Sequence, residues 1–133
     1  MYTGQSISPN KYFEIKEGSS VKLINEPDNY HQYLNGISSK LNFHSKLKQP
    51  VDLIHLFTKS KKELSVELPR LATFLKNEGA FWISWPREES NYVSDLNEDN
   101  IKEIAVHNGL TFKETGWIDE KWFLLKLTNK GNT

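Results

Sequence analysis

The sequence lacks cysteine altogether, and it has neither an excess of one charge nor a long apolar run. The absence of cysteine excludes a disulfide scaffold, a thiolate zinc site, an iron–sulfur cluster and a cysteine nucleophile. Lys plus Arg and Asp plus Glu each number 17, so the net charge is zero. Because a protein that binds the phosphate backbone normally has a basic excess, we expect no nucleic-acid partner.

No apolar stretch approaches the ~20 residues that a membrane-spanning helix needs. The first residues, MYTGQSISPN, carry neither the basic start nor the apolar core of a secretory signal. We therefore expect a cytoplasmic protein with no membrane partner. The length of 133 residues suits one domain. We predict a flexible N-terminal segment at 1–12, a single α/β domain at 13–128 and a tail at 129–133.

The apolar pattern predicts strands that alternate with helices. Val51–Phe57 is apolar on both alternating faces, which is typical of a central parallel strand covered on both sides. Because only three residues separate the last two predicted strands, they form an antiparallel hairpin. The other predicted strands are 21–24, 80–85, 110–118 and 122–127, and residues 41–47 are weakly strand-like, as a short strand, an edge strand or no strand.

Three segments predict helices. The first, over 30–37, has aromatic and aliphatic residues along one helical face. The second, over 60–79, begins with a capping box at Ser60, and Pro69 either kinks it or restarts it. The third covers 97–109. This order predicts an α/β fold, a three-layer Rossmann-like, mostly parallel sheet with a C-terminal antiparallel hairpin.

Several segments resemble a small uncharacterised bacterial family, catalogued as domain of unknown function three thousand and fifty-two. The most specific are WISWPR at 82–87 and SDL at 94–96, and the resemblance covers about residues 14–127. The family usually has Lys where Arg87 stands, so the positive charge is kept. No activity is assigned to this family, so the resemblance implies a fold only.

The segment LATFLKNEGAFWI at 71–83, with the terminal hairpin, resembles the later part of a class I S-adenosylmethionine methyltransferase. In that fold a glycine-rich turn follows the first strand, because the backbone approaches the cofactor closely there. Here residues 25–30 contain no glycine, and Pro27 has no N–H to donate. No acidic residue follows the second strand to hold the ribose. We therefore predict no cofactor.

Ligands of open α/β sheets bind beyond the carboxyl ends of the strands, and the candidate crevice lies there. Its predicted residues are Asn25, Glu26, Ser60, Trp85, Arg87 and Asp95. The alternative is structural: Asn25 and Ser60 as turn and cap residues, and Trp85 as part of the core.

A basic cluster surrounds the start of the second predicted helix. It consists of Lys59, Ser60, Lys61 and Lys62. Helix N-termini attract anions, so this cluster is a candidate site for a phosphate or carboxylate, with Arg87 nearby. The alternative is a solvated basic turn.

The chain has four histidines, and no two have the spacing of a helical metal pair, so we predict no metal. His55 lies in an apolar strand and is expected to be a hydrogen-bonded core residue. Glu88, Glu89 and Asp95 belong to one polar loop, which we expect to be solvated rather than an acid–base pair. No residue can be assigned as catalytic.

Together these observations favour a non-catalytic module that binds a small ligand or a protein, on a reduced methyltransferase-like fold. The alternative is an enzyme that acts on a small anionic or adenosyl compound at the strand-end crevice. Trp117 and Trp122 flank the hairpin turn. They either contact each other across the strands or form a partner patch, so the predicted partner at the C-terminal hairpin is either another protein or a second copy of the chain.

Overall fold

The computed structural model describes residues 5–6, 17–34 and 37–129. Seven strands in this part of the chain form one sheet, in the order β1-β6-β7-β5-β4-β2-β3. Strands β2 to β5 are mutually parallel, and β7 pairs antiparallel with both β5 and β6. The strands are β1 (Gln5–Ser6), β2 (Ser20–Ile24), β3 (Asn42–Phe43), β4 (Val51–Phe57), β5 (Leu75–Ser84), β6 (Leu110–Trp117) and β7 (Phe123–Asn129). The predicted Rossmann-like sheet with its C-terminal hairpin is confirmed.

The two faces of the sheet are covered differently. Helices α1 (Lys61–Ala72) and α2 (Glu98–His107) cover one face, where their apolar residues join Ile54 in one core cluster. On the other face, Leu53 belongs to a second cluster that includes the short 3-10 helix Tyr30–Leu34. Adjacent residues of a strand point to opposite faces, so β4 contributes to both clusters. A further 3-10 turn, Glu88–Ser90, follows β5.

The first predicted helix, over 30–37, is not an α-helix. The structure has a 3-10 helix at Tyr30–Leu34 and a second at Ile37–Lys40. The sequence between them is Asn35-Gly36, and both residue types disfavour a helix interior. Tyr30, Tyr33 and Leu34 are nevertheless buried, so the apolar face was identified correctly.

The second predicted helix ends earlier than expected. It stops at Ala72, and Leu75 begins β5, where it pairs with Val51. Gly79 is therefore not a helix stop: it lies in β5, where an added Cβ would come 2.8 Å from the Asp52 carbonyl oxygen. The helix is continuous through Pro69, so the predicted restart at this residue is wrong.

The predicted N-caps are present. The Ser60 hydroxyl accepts the Glu63 N–H at 3.1 Å, and Asn97 exchanges two hydrogen bonds with Asn100. The capping box predicted at Ser60 is incomplete, because the Glu63 carboxylate accepts the Thr58 hydroxyl and not the Ser60 N–H. Residues 41–47 contribute only the two-residue edge strand β3.

None of the helices in the described ranges is long and apolar enough to cross a membrane. The cytoplasmic location and the domain boundaries stay predictions. Most of the predicted N-terminal segment and tail, at 1–4, 7–12 and 130–133, lies outside the described part of the chain, and both stay predictions.

We expect Ser60→Ala to lower the free energy of unfolding by about 1 kcal/mol, because it removes the side-chain cap of α1. Urea denaturation followed by circular dichroism measures this. Ser65→Ala is the matched control, since Ser65 is exposed in the middle of the same helix. Equal losses in the two variants would contradict the capping role.

Candidate functional site

The carboxyl ends of β2, β4 and β5 lie side by side, at Ile24, Phe57 and Ser84. Strand β6 runs in the same direction as β5, because both are antiparallel to β7. The hairpin turn after Trp117 therefore lies at this edge too. Pro86 forms a bridge with Trp122, and the Phe123 N–H donates to the Trp85 carbonyl at 2.8 Å.

The turn after β2 is made by Asn25. Its φ is 59°, the left-handed region that glycine usually occupies, and asparagine tolerates this region better than most residues. Its side-chain amide donates to the Phe57 carbonyl at 3.3 Å, which joins the ends of β2 and β4. Glu26 follows and is exposed. The chain thus makes this turn with asparagine in place of glycine, and the asparagine side chain joins the ends of β2 and β4.

Aromatic rings occupy the second face of the sheet beside these strand ends. Tyr30 and Phe57 are each 1% exposed, with ring centroids 5.7 Å apart. Trp122 packs edge-on against Phe57 at 5.0 Å, and Tyr92 lies against the Trp122 ring at 5.7 Å. These contacts form a continuous aromatic row from the core to the half-exposed Tyr92.

A buried hydrogen-bond chain runs along this face of the sheet, from the 3-10 helix over β4 to β5. The Tyr30 hydroxyl lies 2.8 Å from His55 Nδ1, and the Ser84 hydroxyl lies 2.8 Å from His55 Nε2. All three side chains are at most 1% exposed. Burial lowers the pKa of His55 to about 3, so the ring is neutral at pH 7. His55 is the hydrogen-bonded core residue that the sequence predicted.

The start of α1 brings Ser60 and Asp95 together. The Asp95 carboxylate accepts the Lys61 N–H at 2.7 Å, next to the N–H that the Ser60 hydroxyl accepts. The Lys59 ammonium lies 3.9 Å from the centroid of the Tyr92 ring, and Lys61 and Lys62 are exposed. The chain's own carboxylate thus lies at the helix N-terminus, and the predicted anion site stays a prediction.

Arg87 holds the hairpin turn. Its guanidinium donates to the Asp119 carbonyl at 2.8 Å, forms an ion pair with Glu89 at 3.1 Å and lies 4.6 Å from the Trp117 ring. The Asp119 carboxylate in turn accepts the Tyr33 hydroxyl at 2.6 Å. Burial, and then this carboxylate, raise the pKa of Tyr33 above its ordinary value.

The two hairpin tryptophans have separate surroundings. Trp117 is paired with Phe123 in the β6–β7 register, and Trp122 is only 6% exposed in the second core cluster. Trp122 therefore adds little to a surface patch. The homodimer through the hairpin stays a prediction.

A crevice of about 520 Å³ opens between the end of β5 and the start of α2. Trp85 and Arg87 line it, and so do two further aromatic residues and three acidic ones, which sequence reasoning did not assign to a site. These are Tyr92, Phe123, Glu88, Glu98 and Asp99. Glu98 and Asp99 have the pattern of ordinary first-turn helix residues, so no sequence signal distinguished them. The predicted residues Asn25, Glu26, Ser60 and Asp95 do not line this crevice, whose other polar residues include Ser94 and Asn97.

Among residues 5–6, 17–34 and 37–129, no group of three or more His, Asp or Glu side chains has the arrangement of a metal site.

We expect the free energy of unfolding to fall as the pH drops from about 6.5 toward 3, because the unfolded chain protonates His55 over this range and the folded chain does not. This group contributes at most about 1.4 kcal/mol per pH unit. Urea denaturation at several pH values measures the slope, which His55→Gln should reduce.

Because that variant removes part of a buried network, NMR of the unmodified protein provides an independent check. The His55 ring resonances should keep their neutral-state positions at pH 5. Protonation of His55 in the folded state at that pH would contradict the burial argument.

No family model and no curated protein matches the sequence. The resemblance to the uncharacterised bacterial family is therefore unsupported by any family match.

Solved structures do match. The ribosomal protein L11 methylase of Lactobacillus delbrueckii subsp. bulgaricus has a TM-score of 0.57 at 11% identity, over 90% of this chain and 74% of that one. Magnesium protoporphyrin IX methyltransferase of Synechocystis PCC 6803, with bound SAM, has a TM-score of 0.60 at 11% identity, over 92% and 74%. An O-methyltransferase family 2 protein of Planctomyces limnophilus has a TM-score of 0.65 at 9% identity, over 85% and 50%.

These likenesses confirm the methyltransferase-type fold. The expectation of a non-catalytic module is corrected, because the similar structures include methyltransferases, several of them with bound SAM or SAH. The earlier expectation relied on the missing glycine turn. The left-handed Asn25 forms this turn without glycine, but its side chain bonds to the Phe57 carbonyl across the strand ends.

Proposed function

We propose that this protein is an enzyme of the methyltransferase-type fold that binds a cationic adenosyl compound in the crevice at the carboxyl end of β5. The observation that carries the proposal is the chemistry of the crevice walls. Three aromatic residues and three carboxylates converge at the edge where open α/β sheets bind their ligands. The fold shared with SAM-bound methyltransferases supports the same ligand class.

The walls favour a cation over an anion. Glu88, Glu98 and Asp99 are acidic, whereas the one basic residue of the crevice, Arg87, already binds Glu89 and the hairpin turn. Lys102 balances the charge of Glu98 at 2.7 Å. The sequence left two ligand types open, a small anion and an adenosyl compound, and the acidic walls disfavour the small anion. The sulfonium and ammonium groups of S-adenosylmethionine suit the acidic side, and its purine suits the aromatic side.

The usual cofactor position of this fold, beyond β2 and β3, does not fit S-adenosylmethionine. The Asn25 side chain lies across the end of β2, and Pro27 offers no N–H. Strand β3 ends at Phe43 and is followed by His44, so no carboxylate is available for a ribose. The adenosyl compound is therefore expected in the β5 crevice and not beyond β2 and β3.

Three further statements stay proposals beside this one. Membership of the uncharacterised bacterial family depends on the WISWPR and SDL segments. A cytoplasmic location suits an enzyme of this kind. The third is a homodimer or another protein partner bound through the C-terminal hairpin.

We expect S-adenosylmethionine to raise the melting temperature by several degrees at saturation, and S-adenosylhomocysteine to do so less because its sulfur is neutral. A ligand at about 100 times its Kd adds ~2.7 kcal/mol, which a thermal-shift titration detects easily. Asp99→Asn should weaken S-adenosylmethionine binding by about tenfold and S-adenosylhomocysteine binding less.

Glu103→Gln is the matched control, because Glu103 is an exposed carboxylate of the same helix and does not line the crevice. Amide NMR should locate the ligand at residues 85–99. Shifts confined to residues 24–30 would place the ligand at the usual cofactor position and contradict the proposed site. If neither compound raises the melting temperature or shifts an amide resonance, the proposed ligand class is contradicted.

A further inference from the structure

A second concave region lies at the opposite side of the sheet from the hairpin, along the outer part of β2. We name it the edge groove. Its volume is about 590 Å³, and it shares no lining residue with the β5 crevice. The residues that line the edge groove include Lys22, Leu23, Ile24, Lys46, Leu47 and Phe74.

Strand β2 has an open edge here. Its register with β3 stops at Val21, whereas its register with β4 continues to Ile24. Residues 22–24 of β2 therefore have a neighbouring strand on one side only. A strand edge of this kind can pair with an extended segment of another chain.

The floor of the edge groove is apolar. Ile24, Leu47 and Phe74 are partly buried and pack against the first core cluster, while part of each side chain remains accessible. An apolar side chain that enters the groove would extend this cluster, and each buried CH₂ group contributes about 0.8 kcal/mol.

The rim of the edge groove is basic. Residues 36–51 contain three Lys and neither Asp nor Glu. The Lys22 ammonium donates to the Ser45 carbonyl at 2.7 Å, and Lys46 is exposed. Among the ion pairs of the described residues, none includes Lys22 or Lys46. Two lysines that form no ion pair within the described ranges thus flank an apolar floor.

We propose that the edge groove binds an extended acidic segment of a partner protein. The segment pairs with residues 22–24 as an added strand, places one apolar side chain against Leu47 and Phe74, and sets carboxylates near Lys22 and Lys46. The apolar floor and the open strand edge favour a peptide over a nucleic acid, which needs neither. This inference is independent of the proposed function.

The test uses a capped synthetic peptide, Asp-Glu-Val-Leu-Val-Glu-Asp, titrated into the full chain and followed by amide NMR. We expect saturable shifts at residues 22–24, 44–47 and 74, and weaker binding at higher salt. A peptide with Lys at each acidic position should not bind. Lys46→Glu should weaken the acidic peptide by about tenfold and allow the lysine peptide to bind. Lys113→Glu is the control, since Lys113 is exposed on β6 and away from the groove.

The proposal is wrong if the acidic peptide gives no saturable shift at the groove residues, or if both peptides bind equally. It is also wrong if Lys46→Glu has no effect on binding. Shifts at these residues with a short oligothymidylate but not with the peptide would point to a nucleic acid instead. Light scattering tests whether a second copy of this chain occupies the edge groove. A dimer that Lys46→Glu converts to a monomer would show that this chain covers its own edge, and would overturn the acidic partner as well. Circular dichroism of each variant verifies the fold.

Discussion

The hydrogen-bond chain from Tyr30 through His55 to Ser84 is the interaction on which the arrangement of the strand ends depends. It joins the 3-10 helix of one face to the two central parallel strands, β4 and β5. Each polar group in it is fully buried, so a missing partner would leave another group unsatisfied at a cost of about 1–3 kcal/mol. The position of Tyr30 is thereby specified, and with it the aromatic row that fills the second face.

The hairpin turn is held by two independent polar contacts. Tyr33 binds the Asp119 carboxylate from the 3-10 helix, and Arg87 binds the Asp119 carbonyl from the end of β5. Asp119 thus connects the hairpin turn to Tyr33, which lies 86 residues earlier in the sequence. Arg87 also forms an ion pair with Glu89, and Lys102 forms one with Glu98, so Glu88 and Asp99 give the crevice its acidic character.

The sequence predicted well what local patterns determine. The buried strand Val51–Phe57, the caps at Ser60 and Asn97 and the hairpin all have short-range signals, and all are present. The end of α1 was predicted wrongly because Leu75 fits a helical face and a strand equally well. Only its pairing with Val51, a contact between distant residues, selects the strand.

The candidate site was predicted in part for the same reason. The carboxyl ends of the strands could be located from their order, and two of the residues predicted there, Trp85 and Arg87, line the crevice. Tyr92 belongs to a loop, and Glu98 and Asp99 begin α2. The hydrophobic pattern of the sequence does not predict where these segments lie relative to β5. Asn25 did carry a usable signal, because asparagine is the residue that most readily replaces glycine in a left-handed turn.

The contact between Asp95 and the Lys61 N–H has a kinetic consequence. The loop that leads into α2 also caps α1, so it cannot move away without exposing the first turn of a neighbouring helix. The Lys61 amide proton is therefore exposed to exchange only when the loop opens, and its protection measures the stability of the closed loop. A ligand that orders the loop would slow exchange in a helix that it does not touch.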